Sequence, residues 1–112
     1  MRSPHPLDHP LYRLLREEKI KDFNQHRKNH LPLDLSGGDY RGADLRGMEV
    51  DGVSFADGYF RGADLRGIDF RRSNLEGASL AHAQISGTYF PKELSADEIL
   101  MSVNQGTRLR YR

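Results

Sequence analysis

Residues 38–70 read GDYRGADLRGMEVDGVSFADGYFRGADLRGIDF, and the heptad RGADLRG occurs in it twice, at 41–47 and 61–67. A period of five runs through the same stretch and beyond it on both sides. Every fifth residue from Leu35 gives Leu35, Tyr40, Leu45, Val50, Phe55, Phe60, Leu65, Phe70, Leu75, Leu80, Ile85 and Phe90, all apolar or aromatic. The column two residues earlier runs Leu33, Gly38, Ala43, Met48, Val53, Gly58, Ala63, Ile68, Ser73, Ala78, Ala83 and Thr88, all small or apolar. The 16 charged residues of 33–92 lie only in the other three columns. Two inward columns set two apart have the alternation of a strand. A period of five is neither helical nor a plain strand, so the remaining residues of each pentad must turn the chain. Glycine occupies eight of the twelve positions two after the centre, where tight turns favour it. Asp57, Arg72, His82 and Lys92 fill the other four corners, and turns of another type or looser geometry are expected there.

The 20-residue echo of RGADLRG makes four pentads one structural unit, hence four sides per coil and about three coils over 33–92. Coils pairing as parallel strands at ~4.8 Å give a solenoid ~15 Å tall. The twelve centre residues, Leu35 to Phe90, are the expected core.

The segments GADLRG, SNLEG and GASLAHAQI resemble the pentapeptide-repeat family, whose loose pattern is A(D/N)LXX. The resemblance implies a β-solenoid: a right-handed quadrilateral parallel β-helix with the centre residue and the residue two before it facing inward. Solenoid ends need covering, and both flanks of the repeat have helical patterning. An N-terminal helix is expected over 10–28, with Asp8 as N-cap, and a short C-terminal helix over 96–104, opened by Ser95–Glu98 and stopped at Gly106. The chain is thus expected to be one domain, 1–112: an N-terminal capping region (1–32), the solenoid (33–92), and a C-terminal helix and tail (93–112).

The chain has 112 residues, with 17 Lys and Arg against 16 Asp and Glu, and no cysteine. Near-zero net charge argues against a dedicated nucleic-acid binder, and the absence of cysteine removes disulfide, thiolate-metal and thiol chemistry. No segment has the pattern of a signal peptide or the length to span a bilayer, so a cytoplasmic protein without membrane contact is expected. His26 and His30 stand four apart, as zinc ligands on a helix do, but the surrounding pattern of a metalloenzyme is missing, and surface histidines are the favoured reading. No nucleophile is followed by a matching base. No enzyme, cofactor or metal is expected.

Arg41, Arg46, Arg61, Arg66 and Arg71 form the most distinctive surface array, with Arg72 beside it. Mutual neutralisation by neighbouring aspartates is the favoured reading. The functional alternative is a recognition patch for an acidic protein surface. A protein–protein interaction or regulatory module is the leading expectation, with an unidentified protein partner engaged through the solenoid faces or the capping helices. The resemblance adds an alternative, because some family members imitate duplex DNA and modulate type II topoisomerases such as DNA gyrase. It also leaves open a homodimer formed through a terminal helix or a solenoid end. Nucleic-acid binding through Arg13, Arg16, Lys19, Lys21, Arg27 and Lys28 is disfavoured by the interspersed Glu17, Glu18 and Asp22.

Overall fold

The structure is a computed structural model and describes residues 8–112. Residues 1–7, the first part of the expected N-terminal capping region, lie outside the described residues.

The pentads wind so that residues 20 positions apart meet on successive circuits. Leu33 pairs with Val53 and Asp34 with Ser54, in parallel, joining strands β1 (Leu33–Asp34) and β2 (Val53–Ser54). The other parallel pairings are single: Ser54 with Asn74, Asp39 with Tyr59, Tyr59 with Ser79, Asp44 with Asp64, Asp64 with Gln84, and Asp69 with Tyr89. Regular strand is this short because each side of the coil has only the few extended residues between two corners. The repeat thus winds a parallel β-solenoid with four pentads to a circuit.

The inward columns make the core. Leu35, Tyr40, Leu45, Phe55, Phe60, Leu65, Phe70, Leu75 and Leu80 are fully enclosed, and Val50 nearly so. Ile85 and Phe90 differ from expectation: both are only partly buried. They lie in the last circuit, where no further coil covers them. The corners also differ at two positions. Asp57 and His82 adopt the same left-handed backbone as the corner glycines, with φ of 58° and 57°. The turn is therefore kept and the residue is strained into it.

The single N-terminal helix expected over 10–28 is two helices, α1 (Pro10–Arg16) and α2 (Ile20–Arg27). The break lies at Glu18, whose φ of 61° no helix accommodates. His9, not Asp8, caps α1: its Nδ1 accepts the Leu11 N–H at 3.0 Å. Leu11, Tyr12, Leu15 and Phe23 of these helices are buried in the same apolar cluster as the solenoid core.

The C-terminal helix α3 (Ala96–Gln105) forms where the sequence places it. Ser95 Oγ accepts the Glu98 N–H, and Gly106 ends the helix at φ 75°. Glu98 does not complete the capping box. Its buried carboxylate accepts the N–H of Arg110 at 3.0 Å and so holds the segment after the helix. That segment lies antiparallel to the solenoid rim, Arg108 pairing with Ser79. No helix among the described residues is long and apolar enough to cross a membrane.

Candidate functional site

The outer surface of the repeat is built from one local motif. Residues i and i+2 of an extended segment point to the same face. In the triplet Asp–apolar–Arg, the aspartate and the arginine therefore flank the buried centre side by side. Arg41 Nε donates to Asp39 Oδ1 and its Nη2 to Asp39 Oδ2, both at 2.8 Å. The same two-pronged contact joins Arg46 to Asp44, Arg66 to Asp64, and Arg71 to Asp69. Each aspartate also accepts the backbone N–H of its arginine, at 3.0–3.2 Å. Asp34 with Ser36 and Asn74 with Glu76 repeat the backbone half of the motif.

These contacts set the charge state of the faces. The side-chain hydrogen bond from Arg46 holds the Asp44 carboxyl down at about 2, and Arg71 does the same to Asp69. Asp39 and Asp64 are lowered by Arg41 and Arg66 in the same way. Arg46 also spans two circuits, its Nε lying 3.3 Å from Asp64 Oδ2. Carboxylates lowered like this stay ionised and are poor proton donors near neutrality.

Arg41 and Arg61 occupy one side, Arg46 and Arg66 the next, and Arg71 the one after. Four of the five are bound to the aspartate two residues earlier. Arg61 follows Tyr59 instead and has no carboxylate within ion-pair distance among the described residues. Arg71 additionally stacks on the Tyr89 ring, 4.7 Å from its centroid. Arg72 reaches Asp51 only at 3.7 Å.

Concave surface is also present among the described residues. A cavity of about 720 Å³ opens between α3, the rim-lining segment and the corner at Glu76–Gly77. A second, of about 350 Å³, lies between α1 and α2 and is lined in part by His9, Asp22, His26 and His30. His9 and His30 meet edge-to-face at 6.1 Å, but no three His, Asp or Glu side chains among the described residues are placed to hold a metal ion.

Sequence reasoning missed the side chains that serve the first circuit's rim. Tyr12 Oη donates to the Asp39 carbonyl and lies 3.3 Å from the Asp39 N–H. Glu18 Oε2 accepts the Asp44 N–H at 2.6 Å. Asn24 accepts the Glu49 N–H at 2.8 Å and donates to the Gly47 carbonyl at 3.0 Å. Six residues of the helical segment thus match each five of the repeat. Tyr12, Glu18 and Asn24 share no helical period, so the sequence carried no signal for the set.

Winding at 20 residues per circuit, filled by two apolar columns, defines the class as a parallel β-solenoid. The family model for pentapeptide repeats matches residues 34–67 and 54–90 with eight copies, and the chain belongs to the pentapeptide-repeat family. No curated protein and no solved structure gives a significant match to the chain.

Proposed function

We propose that the chain is a non-enzymatic interaction module: a right-handed quadrilateral β-helix of about three coils, closed by helical segments at both ends, that binds a protein partner through its outer faces or its ends. The observation that carries this reading is the Asp–apolar–Arg ladder. It turns the faces into rigid surfaces of paired groups that stay ionised near neutrality, suited to complementary contact and not to proton transfer. Arg61, exposed and without a carboxylate, is the guanidinium best able to engage a partner's acid.

Affinity purification with the wild-type chain and with an Arg41/Arg46/Arg61/Arg66→Ala variant tests the reading. Loss of specific partners from the variant assigns binding to the arginine faces. Recovery of the same set moves it elsewhere on the surface, and recovery of no specific partner with either protein counts against the module reading. Imitation of duplex DNA draws less support, because the aspartates that would stand for phosphates are tied to arginines. Robust inhibition or protection of DNA gyrase in a supercoiling assay would reverse that ranking.

A further inference from the structure

The two rims of the solenoid are closed to different extents. At the last circuit, the Leu75 N–H donates to Tyr111 Oη, the Gly77 N–H to the Leu109 carbonyl, the Leu80 N–H to Ser102 Oγ, and the His82 N–H to the Val103 carbonyl. The Leu109 N–H donates back to Ala78. Beyond His82 this cover stops. One circuit below, the Leu65, Gly67 and Phe70 N–H groups donate to Gln84, Ser86 and Tyr89, and the Ala63 and Ile68 carbonyls accept from Gln84 and Tyr89. Their counterparts in the last circuit are the Ile85, Gly87 and Phe90 N–H groups and the Ala83 and Thr88 carbonyls, which bond to nothing among the described residues. Ile85 and Phe90, the two core positions left partly open, lie on this same stretch.

We propose that rim 83–90 is a docking edge for an extended segment of a partner protein, which adds along it and turns with it at the Gly87 corner, as the chain's own circuits do. The inference rests on the interaction reading above and names its surface. An unpaired row of donors and acceptors in strand register is a template for another strand. The adjoining stretch of the same rim already binds one, the antiparallel segment around Arg108, so the new strand would continue an existing interface. A second copy of the chain fits poorly. Strands pair at ~4.8 Å, whereas a helix is ~10 Å across. Each copy carries α3 on this end, so two such ends are held too far apart for their rims to pair, whichever way they face. A lone segment is not obstructed.

The rim also specifies the segment's chemistry. One inward residue on each side of the Gly87 corner must be apolar, to cover Ile85 and Phe90, which stand five apart. On α3, Ile99 and Val103 pack on the core, and Leu100 next to them is 52% exposed, so that apolar wall extends into solvent. Outward positions should be neutral or acidic. The aspartates of earlier circuits are replaced here by Gln84 and Tyr89, and Lys92 is exposed close by.

The test is selection of displayed random peptides of about ten residues, enough to span the edge, against the full chain. One selected peptide is then followed by amide hydrogen exchange and by titration. We expect apolar residues about five apart among the selected sequences, matching the spacing of Ile85 and Phe90, and exchange at Ile85, Gly87 and Phe90 that slows at least ~tenfold on binding. Leu100→Glu, at an exposed position that leaves the fold intact, should weaken binding by about tenfold or more. The Arg41/Arg46/Arg61/Arg66→Ala variant should bind unchanged. Protection on the arginine faces, with binding lost in that variant, would sink the edge and leave the interaction reading standing. No peptide binding tighter than ~100 µM would also overturn the edge, while affinity purification judges the broader reading separately. Protection of these amides on self-association, with a doubled mass in light scattering, would assign the edge to a second copy instead.

Discussion

Gly38 could carry a side chain only if Tyr40 moved, since a Cβ built on it would lie 2.6 Å from the Tyr40 hydroxyl. A Cβ on Gly58 would meet the Phe60 ring at 3.0 Å and, closer still, the Phe55 carbonyl at 2.9 Å. Where the centre residue is a smaller leucine, alanine takes the place of glycine, as in Ala43–Leu45, Ala63–Leu65 and Ala78–Leu80. In these pentads the two inward columns are matched in volume, whereas Val53–Phe55 and Ile68–Phe70 pair a large centre with a large neighbour. The sequence displayed both columns but not this matching, because the ring's lean over its own glycine is a packing fact. Corner residues give the cleanest test at this scale. Gly62 has φ +67° and open space around its Cα, so Gly62→Ala should cost only left-handed strain, about 1–2 kcal/mol. His82 already bears that strain, and His82→Gly should raise stability by about 0.5–1 kcal/mol. Urea unfolding followed by circular dichroism measures both, and equal effects of the same sign would refute the account. Phe70 is fully buried, with the Phe55, Phe60 and Phe90 rings 6.2–6.4 Å away. Phe70→Ala should cost about 3–5 kcal/mol.

At the scale of elements, the N-terminal segment acts through Tyr12, Glu18 and Asn24, of which the sequence presented only Glu18, as a charge interspersed on a solvated face. Helical periodicity reports which face is apolar; it does not report which polar group meets an unpaired backbone. Asn24 shows the difference, because its amide both accepts from and donates to the rim of the first circuit. Asn24→Ala should cost about 1–2 kcal/mol, and Asn24→Asp, which keeps the acceptor, should recover part of that loss. Equal stability of all three proteins in thermal melts would show that water replaces the amide without penalty. The Asp–apolar–Arg motif was legible as a spacing, and so was its mutual neutralisation. Its acid dependence follows from the pKa direction. A carboxyl lowered in the folded state adds stability that is complete above its unfolded value and lost as pH falls through the folded one. For Asp44 and Asp69 the loss should run from pH ~4 down to ~2, the interval between an ordinary aspartate and their lowered values. The melting temperature should therefore hold steady to about pH 4 and then fall. An Asp44→Asn/Asp69→Asn variant should show a shallower fall, and an unchanged slope would remove these two groups from the acid response.

Across the whole molecule, the repeat makes every side look alike in sequence, yet the backbone is not paired equally on every side. Asp69 pairs with Tyr89, but no such pairing joins Glu49 to Asp69. The Val50 and Asp69 N–H groups bond to nothing among the described residues. A cavity of about 360 Å³ opens at this gap between the first two circuits. The Arg27 guanidinium lines it, donating to the Asp51 carbonyl at 2.7 Å while its buried Nε has no partner. Nothing in the five-residue pattern foretold the gap, since Met48, Val50, Ile68 and Phe70 fill their columns as their counterparts do and are buried. The apolar columns govern burial, whereas ladder continuity depends on how closely consecutive backbones approach. The two properties separate in native-state amide exchange. Phe60, Leu65 and Phe70 pair with the circuit above and lie in the densest part of the core, so their amides should exchange only through near-global opening. Val50 is equally enclosed by side chains but donates to no carbonyl, so its amide should exchange faster by orders of magnitude, and that of Asp69 with it. If Val50 and Asp69 prove as protected as Leu65, the fourth side closes in solution and the gap is not a feature of the folded chain. If they exchange rapidly while Val50→Ala still costs a cavity-sized ~1–3 kcal/mol, then packing, and not the ladder, holds this side of the solenoid together.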